Sequence, residues 1–498
     1  MFLKNSKRFM CFKHETCTKS IKSFKDIPGP KPSIPLIGTS WQYLKFFGQY
    51  DLLKLHEANI DKFNKYGPIF KEEFEWKKPV VHLQNPQDIE MVFRNQGIYP
   101  NRPVNEFVCH YRSNNKEKYA NVGISNLLGE EWFEQRKLYA PVLLKLGALD
   151  MYLNQLNEIS NDLVNYIDKL SLNDNNLKVI DDIQSLTFNL SLESICMLCL
   201  DIRMNCFEKT LVLQDGLNLI KFTKSLFSAY QNLYYNPPLW KLFETKDYKE
   251  YYKSEDAIYE IINKHVKCAF DQLQNNSRNS LLKTLVNLDN LDERDIKTLI
   301  IDFIAGGINT VSNSLSFILF HLANSPEVQK KLFLEIKSVL GENKNVEAKH
   351  LTKMKYLKAC VKESFRLNSP IPCVVRVIPK KVILSGYEIP EKTTIFSHFY
   401  VTCKSEKYFD KPSEYIPERW IGKEKNKTNP FSLLPFGFGT KMCTGRRFSE
   451  IQIYLAIIKI ISNYELKSIT EKIDLLHSFI LIPENNISIA FKKRNSDF

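Results

Sequence analysis

One cysteine near the C-terminal end of the chain stands in a setting suited to metal chemistry. The segment Pro435-Phe436-Gly437-Phe438-Gly439-Thr440-Lys441-Met442-Cys443-Thr444-Gly445 surrounds it with three glycines. Glycine adopts backbone conformations that other residues resist and lets main chain approach a flat cofactor closely. A helix-forming run starts directly after it at Arg446. The N-terminal dipole and free N–H groups of such a helix favour a thiolate over a thiol. The bland alternative is a glycine-rich turn around a buried cysteine.

Four further spacings could carry chemistry. Gly306-Gly307-Ile308-Asn309-Thr310 puts two small residues beside a hydroxyl in an otherwise apolar run. Small residues there open a groove, and the hydroxyl of Thr310 can hydrogen-bond a ligand and relay protons. Gly307 equally suits a close helix contact. Glu363 and Arg366, three apart, share one helix face and can pair, as ordinary surface ion pairs also do. Downstream lies Pro417-Glu418-Arg419-Trp420, and Arg376 follows Arg366 by ten residues. Trp132 and Arg136, four apart after Gly129-Glu130-Glu131, share a face; without context such a pair is packing or a cation–π contact.

The pattern F-x-x-G-x-[basic]-x-C-x-G resembles the cysteine-ligand signature of the cytochrome P450 family, and the five motifs occur in that family's order between residues 26 and 490. The resemblance implies a mainly α (α+β) fold, a large helical domain with small β-sheets enclosing haem b. It implies that Cys443 is the proximal iron ligand in a loop with Phe436, Gly437 and Gly445. A thiolate in that place pushes electron density onto iron and favours O–O cleavage. Trp132, Arg136, Arg376 and Lys441 would meet the haem propionates. The family usually has arginine where Lys441 stands; lysine keeps the charge and loses the planar fork. Glu363, Arg366 and Arg419 would form a buried structural cluster. Thr310 would serve dioxygen, and Asn309 replaces the family's acid. An amide orients water but is no general acid near neutral pH, so Asp302, about two turns earlier, becomes a candidate proton source through water.

The implied activity is insertion of one oxygen atom of O2 into a lipophilic substrate, steroid-like (ecdysteroid included) or xenobiotic. Two rivals stay open: a haem-thiolate isomerase or dehydratase that does not use O2, and a non-catalytic haem-binding protein. Leu357-Lys358-Ala359-Cys360-Val361-Lys362-Glu363 looks like the version of this helix found in mitochondrial members. Those members take electrons from NADPH through ferredoxin reductase and a [2Fe-2S] ferredoxin. Lys358 and Lys362 are stacked four apart, which costs a helix stability and suits an acidic partner. Arg446 and Arg447 fit the same docking role. The stretches 26–73 and 129–136 look most like insect-type mitochondrial members. By the same resemblance the substrate pocket is walled by residues 105–124, Phe303-Ile304, Ile371–Val375 and Phe479–Ile482. The resemblance does not choose between hormone synthesis and detoxification.

Positioning these residues requires a large, mostly helical body. Apolar residues at spacings of three and four predict helices over 149–170, 178–200, 255–274, 293–325 and 446–463. Strands are expected at Val80–Leu83 and as a hairpin of Val382–Leu384 with Tyr387–Ile389 around Ser385-Gly386. Residues 173–176, 275–279 and 421–430 read as loops. The apolar stretch 299–323 carries Asp302, Asn309, Thr310, Ser312 and Asn313, which hydrocarbon would penalise; a buried helix with a polar notch is expected. The mean hydropathy is −0.28, unlike that of a multi-spanning membrane protein.

The 498 residues carry a formal net charge of +13. Residues 1–25 hold seven basic side chains against the single acid Glu15 and no run of ~20 apolar residues, a composition that fits a mitochondrial transit peptide. The proline-rich lead-in Ile27–Gly38 separates it from a single domain expected over 26–498, with peripheral contact to the matrix side of the inner membrane. No helix-turn-helix, zinc spacing or aromatic RNA motif accompanies the charge, so no nucleic-acid partner is expected. Eleven scattered cysteines read as reduced thiols, and Cys196-x-x-Cys199 lies in an apolar run as buried core.

Overall fold

The computed structural model describes residues 21–44, 48–145, 147, 149–173, 176–208, 214–273, 281–288, 291–341, 343 and 345–494. Most of the basic N-terminal segment, Cys11, Cys17 and residues 275–279 lie outside the described residues. Residues 22–25, grouped with that segment by composition, are instead held on the body. The Lys22 N–H donates to Gly386 O at 3.0 Å, and Lys22 O accepts from Glu388 N at 2.9 Å. Residues 22–25 thus belong to the described body.

Among the described residues the architecture is helical with four small sheets. Its axis is the central helix Glu293–Ala323, opened by a capping box in which the Asp292 side chain accepts from Asp295 N and the Asp295 side chain accepts from Asp292 N. This arrangement satisfies two of the helix's free donors. The helix packs along Ile183–Leu200, whose apolar residues run round its whole circumference because it is buried on all sides. Both helices are long and apolar enough to cross a membrane, yet most of each is covered by protein. Cys196 and Cys199 are fully buried there. The expected helix at 178–200 starts at Ile183; residues Lys178–Ile180 form a strand with Ile489–Lys493 instead.

Against this axis pack Gln214–Tyr235, Lys246–Leu273, Lys355–Leu367 and Arg446–Asn463, the first two also packing on each other. A four-stranded sheet, ordered Ile69–Glu75, Lys78–Leu83, Thr394–Ser397, Val374–Val377, flanks them, with a parallel pairing of Val80–Leu83 against Thr394–Ser397. The hairpin Val382–Leu384 with Tyr387–Ile389 turns through Ser385 and Gly386, both at positive φ. The short antiparallel pair Leu475–Ser478 and Ile480–Pro483 turns at Phe479 and reaches back toward the helix Gln214–Tyr235.

Candidate functional site

The loop before Arg446–Asn463 is folded on its own backbone. Gly437 N donates to Leu434 O (3.0 Å), Met442 N to Gly439 O (3.1 Å) and Cys443 N to Phe436 O (2.9 Å). Gly437 and Gly439 adopt φ of 71° and 80°, where a side chain would be strained. A Cβ on Gly439 would also lie 2.2 Å from Gln96 Nε2. Cys443 thereby projects just ahead of the helix N-terminus. Its thiol is accessible although protein surrounds it, so its free face opens onto an internal space. Burial pushes the thiol's pKa up, against the N–H groups of Gly445 and Arg446 and the charges of Arg136 and Arg102. The helix terminus does not by itself make a thiolate here; a metal cation bound to the sulfur would supply what is missing.

The central helix is tied to this region through Phe303, whose ring lies 5.4 Å from that of Tyr139, itself a neighbour of Arg136 and Arg102. Along the helix Phe303, Gly306 and Thr310 are partly or fully open, whereas Ile304 and Ile308 are buried. A Cβ on Gly306 would meet nothing within 4 Å, which marks a groove. Gly307 serves contact instead: a Cβ there would lie 3.0 Å from Ile195 Cδ1. Thr310 Oγ1 donates to Gly306 O at 2.7 Å. Asn309 is turned off the groove, 4% exposed, with its Nδ2 unpartnered. Asp302 is engaged elsewhere. Its Oδ1 pairs with Arg112 Nη1 at 2.8 Å and its Oδ2 accepts from Ser125 at 3.3 Å, while Arg112 also binds the buried Glu255. The expected proton source is thus tied into an ion cluster.

Four cations converge beside the thiol. Arg136 Nη2 donates to Met442 O (2.7 Å) and its guanidinium lies 5.4 Å from the Trp132 ring. Lys441 Nζ sits 4.0 Å from the same ring, with Leu127 O at 3.5 Å. Arg376 Nε donates to Gln96 Oε1 (2.9 Å) and Nη1 to Val375 O (2.8 Å); its buried Nη2 has no partner. Arg102, which no motif pointed to, donates twice to Ser125 O. Burial first, then the neighbouring guanidinium groups of Arg102, Arg376 and Arg136, pull the Lys441 amine down to about 6; burial and Arg102 pull Arg376 down to about 9. None of the four has a carboxylate in ion-pair range among the described residues. Buried charge without a partner is costly, so this set fits a ligand that brings its own anions. A thiol, a groove and four basic side chains without counter-ions, one of them (Lys441) held mostly neutral until an anion arrives, match a flat, metal-bearing cofactor with two carboxylates. Arg102 and Gln96 were invisible to spacing because their partners lie far away in sequence.

Behind the loop, Glu363 is fully buried and accepts five hydrogen bonds. Its Oε1 takes Arg366 Nη2 (2.8 Å), Arg419 Nε (2.9 Å) and Ile416 N (3.0 Å); its Oε2 takes Arg366 Nε (2.9 Å) and Trp420 Nε1 (2.8 Å). Arg366 also donates to Cys403, Pro412 and Glu414 carbonyls. The cluster ties the segment 411–420 beneath the cysteine loop. Phe436 completes the link with an edge contact to Phe365, ring centroids 5.6 Å apart.

The four residues expected to dock a partner share one face but differ in freedom. Lys358 is half-buried, with Thr352 O at 3.4 Å. Lys362 lies 4.0 Å from the Trp420 ring, and burial lowers its amine to about 8. Arg446 and Arg447 both approach Glu450, at 3.0 and 3.6 Å. Lys362 therefore packs as well as carrying charge, and the arginines are partly neutralised.

A family model described as Cytochrome P450 matches residues 28–491. The chain is 31% identical over 484 residues to the ecdysone 20-monooxygenase of Drosophila melanogaster, covering 94% of this chain and 88% of that one. It is 30% identical over 478 residues to the mitochondrial 1,25-dihydroxyvitamin D(3) 24-hydroxylase of Rattus norvegicus, covering 95% and 90%. A third relative, the mitochondrial cytochrome P450 302a1 of Drosophila melanogaster, is 28% identical over 456 residues, covering 89% and 90%.

Proposed function

This chain belongs to the cytochrome P450 family, and on that premise we propose that it oxidises a lipophilic, steroid-like substrate or a xenobiotic in mitochondria with electrons from a ferredoxin. As a family member it is a haem monooxygenase whose iron carries a cysteine thiolate. We assign that cysteine to Cys443. The observation that carries the assignment is the convergence of Arg102, Arg136, Arg376 and Lys441, without counter-ions, beside this thiol.

The bound haem supplies reductive activation of dioxygen. The protein's own residues do the rest. Arg136, Arg376 and Lys441, the first and last of them resting on the Trp132 ring, would hold the two propionates and so orient the cofactor, with Arg102 as a fourth basic group. Phe436, Gly437 and Gly445 would let backbone approach the cofactor beside Cys443, and the N–H groups of Gly445 and Arg446 point at the sulfur. Gly306 leaves open space in which dioxygen could be accommodated. Thr310 Oγ1, now donating to Gly306 O, can turn and pass a proton from water into the groove. Asn309 is no general acid and faces away from the groove, and Asp302 is held by Arg112, so proton supply runs through Thr310 and solvent. This reading predicts slow proton delivery relative to members that retain the acid. It also keeps open a substrate hydroxyl as helper. The apolar side chains of Phe303, Val374 and Phe479 exclude water, whereas Ile304, expected beside Phe303, is fully buried in the core.

Support for a ferredoxin donor comes from Lys358, Lys362, Arg446 and Arg447 on one face, from the basic N-terminus and from the mitochondrial relatives. Matrix-side, peripheral membrane association and a single catalytic domain following a cleaved leader belong to the same proposal. Opposite charges on the partner would speed association and make turnover fall with salt. The test is turnover of the reconstituted holoenzyme with a mitochondrial-type [2Fe-2S] ferredoxin and its reductase against a diflavin reductase, across ionic strength. Turnover supported by the diflavin enzyme alone refutes the donor assignment. Oxygen uptake matched to oxygenated product separates monooxygenation from isomerisation or dehydration.

A further inference from the structure

Five polar side chains that no motif marked border one enclosed cavity. His56 and Asn59 come from the helix Leu55–Tyr66, His82 from the four-stranded sheet, His398 from the residue directly after that sheet's strand Thr394–Ser397, and His477 from the strand Leu475–Ser478. All five are at most 6% exposed. The open space amounts to about 20 Å³, room for one water molecule or at most two.

The outer partners of the four imidazoles decide where their protons sit. Burial keeps all four neutral near neutral pH, with His56 at about 4 and His477 at about 3, so each ring has one N–H and one lone pair. Glu72, paired with Lys62 at 2.5 Å, is a carboxylate and only accepts. His82 Nε2, 3.3 Å from Glu72 Oε1, therefore carries the proton. His82 Nδ1 is then an acceptor, and His398 Nε2 donates to it at 2.8 Å. This leaves His398 Nδ1 with a lone pair. Gln231 Oε1 also only accepts, so His477 Nδ1 donates to it at 3.0 Å and His477 Nε2 keeps its lone pair. At His56, Glu57 Oε1 lies 3.6 Å from Nε2 and favours the proton there, while the buried Nδ1 has no partner.

The lone pairs of His56 Nδ1, His398 Nδ1 and His477 Nε2 thus stand without a donor among the described residues. Asn59 Oδ1, buried and unpartnered, is a fourth acceptor of the same kind. Tyr235, Cys373 and Tyr400 also border the cavity, yet no hydrogen bond joins any of them to these atoms. A buried acceptor with no donor costs the desolvation of its lone pair, and four around one space call for a molecule that supplies O–H or N–H groups. A metal ion is the other species that takes imidazole lone pairs, but no three His, Cys, Asp or Glu among the described residues are arranged to hold one. The size of the space restricts the occupant to the smallest neutral donor.

We propose that this cavity is a water-binding site, in which one or two buried waters donate to His56 Nδ1, Asn59 Oδ1, His398 Nδ1 and His477 Nε2. The water closes a hydrogen-bonded chain that runs from Lys62 through Glu72, His82 and His398 to His477 and Gln231. It ties the helix Leu55–Tyr66, the four-stranded sheet and the strand Leu475–Ser478 together through polar contacts that none of them can complete alone.

Two measurements on the haem-loaded full chain test this. A high-resolution crystal structure of the wild type should show water density at about 2.7–3.2 Å from at least two of the four acceptors. An empty cavity, or a metal ion identified there by anomalous scattering, overturns the proposal. The second measurement is urea unfolding of Asn59→Leu, which keeps the side-chain volume and displaces the water. Loss of the donor to the remaining lone pairs should make the folding equilibrium constant about tenfold smaller. In a dry cavity the same substitution merely removes an unpaired polar group, so unchanged or increased stability also overturns the proposal. The wild-type density decides the matter if the variant does not fold.

Discussion

Replacing Glu363 by glutamine tests how the fold holds the cysteine loop. Glutamine keeps the shape and one carbonyl oxygen. With that oxygen at the Oε1 position, the three donors Arg366 Nη2, Arg419 Nε and Ile416 N stay paired. The new amide then faces Arg366 Nε and Trp420 Nε1, two donors that previously met Oε2 at 2.9 and 2.8 Å. Each unsatisfied buried donor costs about 1–3 kcal/mol. The fully buried Arg366 guanidinium also loses its counter-charge, a change in the range of about 3–5 kcal/mol. These effects overlap, and a total of about 4 kcal/mol is expected, a large share of the roughly 5–15 kcal/mol that folds such chains. Arg419→Gln is the control. Its side chain is 12% exposed, it gives Glu363 one bond, and Arg366 stays paired in its absence; about 1–2 kcal/mol is expected. Urea unfolding followed by near-UV circular dichroism measures both, and haem retention reports on the loop. A Glu363→Gln variant within about 1 kcal/mol of wild type, or one less damaged than Arg419→Gln, would refute the reasoning.

Stability should fall with acidification between pH 6.5 and 5. Burial lowers His56 to about 4 and His321 and His477 to about 3, and it also lowers His82 and His398. A depressed folded pKa gives stability above the unfolded value of about 6.5 that is lost as pH falls, up to about 2 kcal/mol per site by pH 5. Urea midpoints at pH 7.5, 6.5 and 5.5 check this, and His321→Gln, which keeps a partner for Asn368, should flatten the slope. The neighbouring glycines of the central helix should respond oppositely. Gly306→Ala gains about 0.5–1 kcal/mol of helix stability and lowers turnover by narrowing the groove; Gly307→Ala presses on Ile195 and costs about 1–3 kcal/mol. Thermal unfolding and product formation of the two variants decide it. Lys358→Gln with Arg447→Gln should weaken ferredoxin-supported turnover at low salt and leave the dithionite-reduced spectrum unchanged. Lys362 is left intact because it packs on Trp420, the donor to Glu363.

Legibility in the sequence followed the range of the interactions. The helix Arg446–Asn463 and the central helix read clearly because their apolar periods are long, and the hairpin at 382–389 because Ser385-Gly386 supplies the turn. The strand Ile69–Glu75 was missed: its central Lys71-Glu72-Glu73 breaks the alternation, since Glu72 is buried against Lys62 at 2.5 Å and that pairing cannot be seen locally. Lys178–Ile180 read as helix because three residues carry no period, and its strand partner lies some 300 residues away. At the site, Cys443, Arg136, Arg376 and Lys441 were marked by local motifs. Arg102 and Gln96 were not, because one gains its place through Ser125 O and the other by packing under Gly439. Asn309 and Asp302 were placed on the right helix, but their faces were decided by Arg112 and the surrounding helices.

The most direct test of the account is the carbon monoxide difference spectrum of the dithionite-reduced full chain and of its Cys443→Ala variant. A strongly red-shifted Soret band in the wild type, lost in the variant, is the predicted result and places a thiolate from this residue on the iron. A band at the position of histidine-ligated haem, or a red-shifted band that survives in Cys443→Ala, would contradict it.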